Sequence, residues 1–308
     1  MSKSTRQQFA DTMLALSHED KDIVVMVGDI GHGMFKPFAE VYPNRYYNIG
    51  ILEPTMISMG AGLAASGLCP VIHTIAPFMI ERAFEQIKLD FCYHKLPGNI
   101  VTVGSAFDYS NLGCTHHCYG DFALLKTLPS TEICFPASPI EFDQLFRQSY
   151  QNTQLTIYRI AGTSHGVNFN PEDIIFGKGI CVHEGDDVTL VATGPHLKTV
   201  LTAKNALISK GVNAEVIYIH TIRPLDVELI RASVEKTRKV VVVEEHMRSG
   251  GLGDDVLRVT YDIPGLKFHS VSIPDIFVTE YGTYEELCES VGLTPQALLL
   301  SINDWFES

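Results

Sequence analysis

Tyr47-Asn48-Ile49-Gly50-Ile51-Leu52-Glu53-Pro54-Thr55-Met56 reads as a short strand that turns at Gly50 and enters a helix of small residues, Met59-Gly60-Ala61-Gly62-Leu63-Ala64-Ala65. Glu53 is the one carboxylate in the stretch, and its neighbours are apolar. Loss of hydration disfavours the charged form, so the pKa of Glu53 is expected to rise, which makes it a candidate for proton transfer. A glutamate in a helix's first turn is equally well accounted for by the macrodipole, and both readings stay open at this level.

Working outward, the same alternation of strand and helix continues in both directions. Upstream, apolar residues at Phe9, Met13, Leu14 and Leu16 predict an amphipathic helix over 4–17, and Ile23-Val24-Val25-Met26-Val27 is a short apolar run typical of a buried strand. That run ends in Gly28-Asp29-Ile30-Gly31-His32-Gly33, whose spacing fits neither a dinucleotide fingerprint nor a Walker loop, so a plain turn is preferred. Downstream, strands are expected over 70–75, 100–103, 132–135 and 155–159, with helices over 78–87, 121–126 and 139–150. The sixteen residues 104–119 lack periodicity, and such a stretch inside a compact domain is more often a site than a spacer.

A glycine-rich span, 161–184, separates this unit from a second alternation, with strands over 187–192, 214–218, 239–243 and 268–271 and helical patterns over 197–210, 226–235 and 283–307. The expected fold class is therefore α/β in two domains, 1–160 and 185–308, each a largely parallel sheet flanked by helices on both faces. Two domains also suit the length of 308 residues. A net charge of −13 argues against nucleic acid or an anionic membrane surface as partner. Neither a signal peptide nor an apolar run long enough to span a bilayer is present, and seven cysteines without framework spacing suit a reducing, cytoplasmic setting. The cluster Cys114-Thr115-His116-His117-Cys118 places four ligand types too close along the chain to surround one tetrahedral ion, so no metal is assigned to it.

Four motifs in order, Asn48-Ile49-Gly50-Ile51-x-Glu53-x-x-Met56, Thr74-x-x-x-Phe78, Arg82-Ala83-Phe84-Glu85-Gln86-Ile87 and Gly113-Cys114-Thr115-His116, resemble the pyrimidine-binding domain of transketolases. Ala192-Thr193-Gly194, Thr221-Ile222-Arg223-Pro224-Leu225-Asp226 and Val243-Glu244-Glu245-His246 resemble the transketolase C-terminal domain, so the likeness covers almost the whole chain. It implies a thiamine-diphosphate-dependent carboligase moving a two-carbon ketol unit between sugar-type substrates. Glu53 is implied to hydrogen-bond the aminopyrimidine N1′, Phe78 to pack on that ring, and Asp29 and Ile75 to lie near it, Ile75 standing where many relatives carry an aromatic residue. Helix-face packing for Phe78 and turn capping for Asp29 are the structural alternatives. His116 is implied to act on the substrate oxygen, His117 stands where a glutamine is usual, and Arg159 matches an arginine that binds the acceptor's phosphate, a surface arginine being its alternative.

The domain that grips the diphosphate through Mg2+ with a Gly-Asp-Gly and a downstream Asn has no counterpart in these motifs. The resemblance is thus to the C-terminal subunit of a split transketolase, with an N-terminal partner subunit that holds the metal and an α2β2 assembly. Gly104 and Leu112 stand where sugar-phosphate enzymes carry a histidine and an aspartate, which points away from ordinary pentose phosphates. A 1-deoxyxylulose-5-phosphate-synthase-like or 2-oxoacid-dehydrogenase β-type subunit, and a regulatory or structural partner, are the competing functions.

Overall fold

The computed structural model describes residues 3–307. Met1, Ser2 and Ser308, at the outer ends of the two domain spans, lie outside the described residues. A seven-stranded sheet, ordered β10-β5-β6-β4-β3-β1-β2, carries the first half of the chain, and a five-stranded sheet, β12-β11-β8-β9-β7, carries the second. The strands are β1 Ile23–Val27, β2 Tyr46–Asn48, β3 Cys69–Ile75, β4 Gly98–Val103, β5 Thr131–Cys134, β6 Leu155–Ile160, β7 Ile180–His183, β8 Val188–Thr193, β9 Ala214–Ile219, β10 Thr221–Arg223, β11 Lys239–Met247 and β12 Lys267–Ile273. Every pairing is parallel except β10 on β5 and β7 on β9, both at sheet edges.

Both faces of each sheet are covered, as the alternation predicts. One face of the first sheet packs on helices Thr5–Glu19 and Pro139–Ser149 through Phe9, Met13, Phe142 and Phe146; the other packs on Glu53–Ala65 and the following helical run through Met56, Ile57, Ile80 and Phe91. Coverage on both sides is why β1 reads as an unbroken apolar run and why β4, β5 and β6, which also carry polar residues, are buried throughout. The second sheet is sandwiched in the same way between Leu197–Ile208 with Pro295–Glu307 and Val227–Thr237 with Leu252–Thr260. One apolar cluster runs from Met56 and Ile72 through Phe122 and Phe135 to Ile219 and Leu252, so the two sheets share a core.

Local differences from the sequence expectation have local causes. The span 161–184 is irregular only to Gly179, because Ile180–His183 has a free sheet edge beside β9 to pair with. Thr221–Arg223 crosses back to close the edge of the first sheet. The helix expected over 78–87 is longer and uneven, with wide π-type turns at Pro77–Glu81 and Ile87–Tyr93 around a single α turn, Phe84–Gln86. Such wide turns are rare and cluster at functional positions. The pattern over 283–307 divides into Tyr284–Ser290 and Pro295–Glu307 at Gly292, whose φ of +79° ends the first helix.

Candidate active site

β4, β3, β1 and β2 are neighbours in the sheet and parallel, so their carboxyl ends lie side by side, the place where parallel sheets present ligands. Asn48, the last residue of β2, fastens two of these exits: its Oδ1 accepts from the N–H of Asp29 and of Gly50, each at 3.0 Å. Gly50 then turns with φ +79°, and the helix Glu53–Ala65 begins with Glu53 at its first position and Pro54 behind it.

Glu53 is 1 % exposed. Its Oε2 accepts from Arg82 Nη1 at 2.8 Å, whereas Oε1 is buried and meets no donor. An unsatisfied buried acceptor costs about 1–3 kcal/mol, so this oxygen calls for an explanation, and a ligand that brings a donor is one. Burial was expected of Glu53; its pairing with Arg82 was not, although that residue stands in the quoted motif at 82–87. The Arg82 guanidinium also lies 4.3 Å over the Phe78 ring, a cation–π contact that links the carboxylate to the aromatic.

From Phe78 the contacts continue to the irregular loop. The His116 ring stands edge-on to Phe78 at 5.1 Å and to Tyr109 at 5.9 Å, and Thr115 Oγ1 lies 2.9 Å from His116 Nδ1. The Tyr109 ring covers Gly104 so closely that a Cβ there would stand 2.7 Å from it, with Ile75 Cγ2 at 3.5 Å. Glu53, Arg82, Phe78, His116 and Tyr109 are thereby joined in one contact chain, with Ile75 beside Gly104. Asp29 flanks it through Asn48. It adopts a left-handed φ of +54°, and hydrogen bonds from His32 Nε2 (2.9 Å) and Asn48 Nδ2 (3.3 Å) hold its exposed carboxyl below the usual range.

Two residues singled out from the sequence lie elsewhere. His117 packs elsewhere: it is 4 % exposed, its ring is edge-on to Phe107 at 5.3 Å, and burial, opposed by the Ser110 backbone, lowers its pKa. Arg159 is 1 % exposed at the junction of the two domains. Its Nη1 donates to Asp121 Oδ1 at 3.0 Å, its Nη2 to the Glu245 carbonyl at 2.9 Å, and its guanidinium is held between Phe122 and Phe135. Neither the surface nor the Phe78–His116 cluster receives it.

Arg6 belongs to none of the sequence motifs, yet it reaches this region. With Gly104, Asp108, Tyr109 and Gly162 it lines a cavity of about 120 Å³ at the ends of β4 and β6, and its buried Nε has no partner. The Asp108 carboxyl in that wall is turned to the N–H groups of Ser105 and Gly162. A cation in the first turn of a helix opposes the macrodipole, which is the signal the sequence carried. Among the described residues no three His, Cys, Asp or Glu side chains gather as a metal site, and Cys114 is exposed while Cys118 is buried against Glu81. No described helix is long and apolar enough to cross a membrane.

Comparison with known proteins gives two family matches along the chain. Residues 1–160 match the transketolase pyrimidine-binding domain and residues 177–298 the transketolase C-terminal domain. The chain is 31% identical over 296 residues to one of the subunits of the apulose-4-phosphate transketolase of Phocaeicola vulgatus, covering 95% of this chain and 94% of that one. It is 32% identical over 295 residues to the 1-deoxy-D-xylulose-5-phosphate synthase of Heliobacterium modesticaldum, covering 94% of this chain but 45% of that protein, so it spans about half the length of that relative. Among solved structures it superposes on a split-gene transketolase, described as an inactive β4 tetramer, with a TM-score of 0.89 and 29% identity over 98% of both chains. The chain belongs to the transketolase family, as a pyrimidine-binding domain followed by a C-terminal domain.

Proposed function

We propose that this chain is the pyrimidine-holding subunit of a thiamine-diphosphate-dependent ketol transferase, completed by an N-terminal subunit that holds the diphosphate and Mg2+. The observation that carries the reading is Glu53 Oε1, a buried carboxylate oxygen with no donor, at the carboxyl end of a parallel sheet and linked through Arg82 to an aromatic face. These residues fit the aminopyrimidine: Glu53 would share a proton with the ring nitrogen N1′ in a hydrogen bond, Phe78 and Ile75 would flank the ring, and Asp29 would border it. When bound, thiamine diphosphate supplies the nucleophilic carbon that takes up a two-carbon ketol unit and passes it to an acceptor. Glu53 would share a proton at N1′, and Arg82 would keep the carboxylate oriented toward it.

His116 would donate to the substrate oxygen that gains charge, with Nδ1 held by Thr115 and the opposite nitrogen available. Arg6, in the wall of a cavity beside Tyr109, suits an anionic end group of a sugar-type substrate better than Arg159, which is enclosed at the domain junction. Gly104 in that wall and Leu112 outside it stand where a phosphate donor and a sugar-hydroxyl partner are expected for ordinary pentose phosphates. A two-subunit α2β2 assembly in the cytoplasm is supported by the full-length match to a relative that is itself named as one subunit of its enzyme, and by seven unbridged thiols.

Reconstitution tests the reading. The chain with thiamine diphosphate and Mg2+ is expected to show no turnover of hydroxypyruvate, a two-carbon ketol donor, and to gain it when the adjacent gene product carrying the diphosphate-binding pattern is added. Turnover by the chain alone would overturn the partner requirement. Turnover restricted to pyruvate as donor would favour the synthase-like alternative.

A further inference from the structure

The loop that carries His116 is fastened from outside its own domain. Gly113 has φ +73° and ψ −164°, a backbone region essentially confined to glycine. Its carbonyl accepts from the N–H groups of His116 (2.9 Å) and His117 (3.2 Å), so the conformation of this one residue sets where His116 stands. On the face where a Cβ would project lies the ring of Tyr281, with its Cε1 only 2.5 Å from that point. Tyr281 belongs to the segment that follows β12, in the second domain.

The same segment holds the loop's far end. Tyr119 Oη donates to the Ile276 carbonyl and accepts from Val278 N–H, both at 3.1 Å, while the Met247 N–H donates to the Tyr119 carbonyl at 2.7 Å. At the near end, Glu245 Oε1 accepts from Phe107 N–H at 3.2 Å. Behind the loop is an open cavity of about 290 Å³ bordered by Glu81, His117, Met247 and Phe277. Close packing is what ordinarily holds a loop rigid, and on that side it is missing. The fastenings from the second domain act there beside the ring contacts of His116 with Phe78 and Tyr109 and the Ala106–Cys118 bridge within the loop.

We infer that the second domain completes the active site by holding His116 in register, with Tyr281, seated on Gly113, as a positioning residue for the imidazole. This rests on the reading of His116 as the group that meets the substrate oxygen. Tyr281 is 71% exposed, so removing its ring takes nothing from the core. A misplaced catalytic group loses rate rather than affinity, because the reacting distance changes while the binding surface does not.

The test uses the reconstituted two-subunit complex with hydroxypyruvate as donor and, separately, NMR of the histidine-labelled chain. Tyr281→Ala is expected to lower kcat about tenfold with the donor KM held within about twofold, to shift the His116 ring resonances, and to be rescued in both by Tyr281→Phe, which keeps the ring. In a His116→Ala background the Tyr281→Ala change is expected to cost nothing further. An unchanged kcat in Tyr281→Ala alongside an impaired His116→Ala would overturn the positioning role and leave His116 in place. An equal loss in both backgrounds would overturn it too, by showing an effect that bypasses His116. Normal turnover in His116→Ala would remove the reading of His116 itself, and the NMR shift with its Phe rescue would then decide alone whether Tyr281 holds the ring.

Discussion

Glu53 and Glu245 are buried alike, at 1 % exposure each, and differ in what their oxygens meet. At the domain junction both oxygens of Glu245 are used: Oε1 accepts from Phe107 N–H and Oε2 from Tyr284 Oη at 3.0 Å. At the sheet edge Glu53 keeps one oxygen unpaired. The arginines differ in their enclosure. Arg159 is held between two rings and bonded to Asp121 and the Glu245 carbonyl, only its Nε lacking a partner, whereas Arg82 is 45% exposed and Arg6, whose Nε also lacks a partner, lines a cavity. A buried acceptor left short of a partner calls for an explanation, and at Glu53, which stands at the carboxyl ends of parallel strands, a bound donor is one.

Glu53→Gln is the strongest way to break that contrast. In the reconstituted complex it is expected to lower turnover by about 10²–10⁴ while size-exclusion shows the assembly intact. Near-normal turnover would make Glu53 a structural carboxylate like Glu245. Next in size, Arg159→Met leaves Asp121 buried without its cation and is expected to cost about 3–5 kcal/mol in urea unfolding, with turnover of the folded complex preserved. A stable Arg159→Met protein with a raised acceptor KM would return Arg159 to the substrate site.

The smallest effect lies in pH. Burial, opposed by Arg159 and reinforced by Asp108, pushes the Glu245 carboxyl up to about 7, from 4.5 in the unfolded chain. The folded protein then holds this proton where the unfolded chain has lost it. Its contribution is full below about pH 4.5 and is lost as pH rises through 7. Measured against Glu245→Gln, the wild type is expected to lose about 1–3 kcal/mol of stability between roughly pH 5 and 8. A pH-independent difference would show that Glu245 is ionised at this junction across the whole range.

Much of the site was legible because its parts are local. Glu53 announces itself as a lone carboxylate in an apolar stretch, and His116 stands in a loop whose missing periodicity marks it. Arg6 was not legible as a site residue: it sits in the first turn of a helix that begins the chain, far in sequence from Gly104 and Tyr109. Arg159 differs from its sequence expectation for the opposite reason: it is buried at a strand end that reads as open. The end of a central strand ordinarily faces a crevice, and here Phe122, Phe135 and Asp121 close over it. The strand β10 was missed because three residues paired across a domain boundary have no periodicity of their own.

The sequence by itself determined the parallel two-domain architecture, since covering both faces of a sheet demands unbroken apolar strands alternating with amphipathic helices, and that demand is written residue by residue. It also determined which carboxylate, aromatic and imidazole compose the candidate site. Only the tertiary structure decided which charges are filled and which are left open, that Arg82 faces Glu53, and that a tyrosine of the second domain sits on Gly113. Hydrogen-bond satisfaction and contact between distant segments depend on where the chain returns in space, and spacing along the chain does not encode that distance.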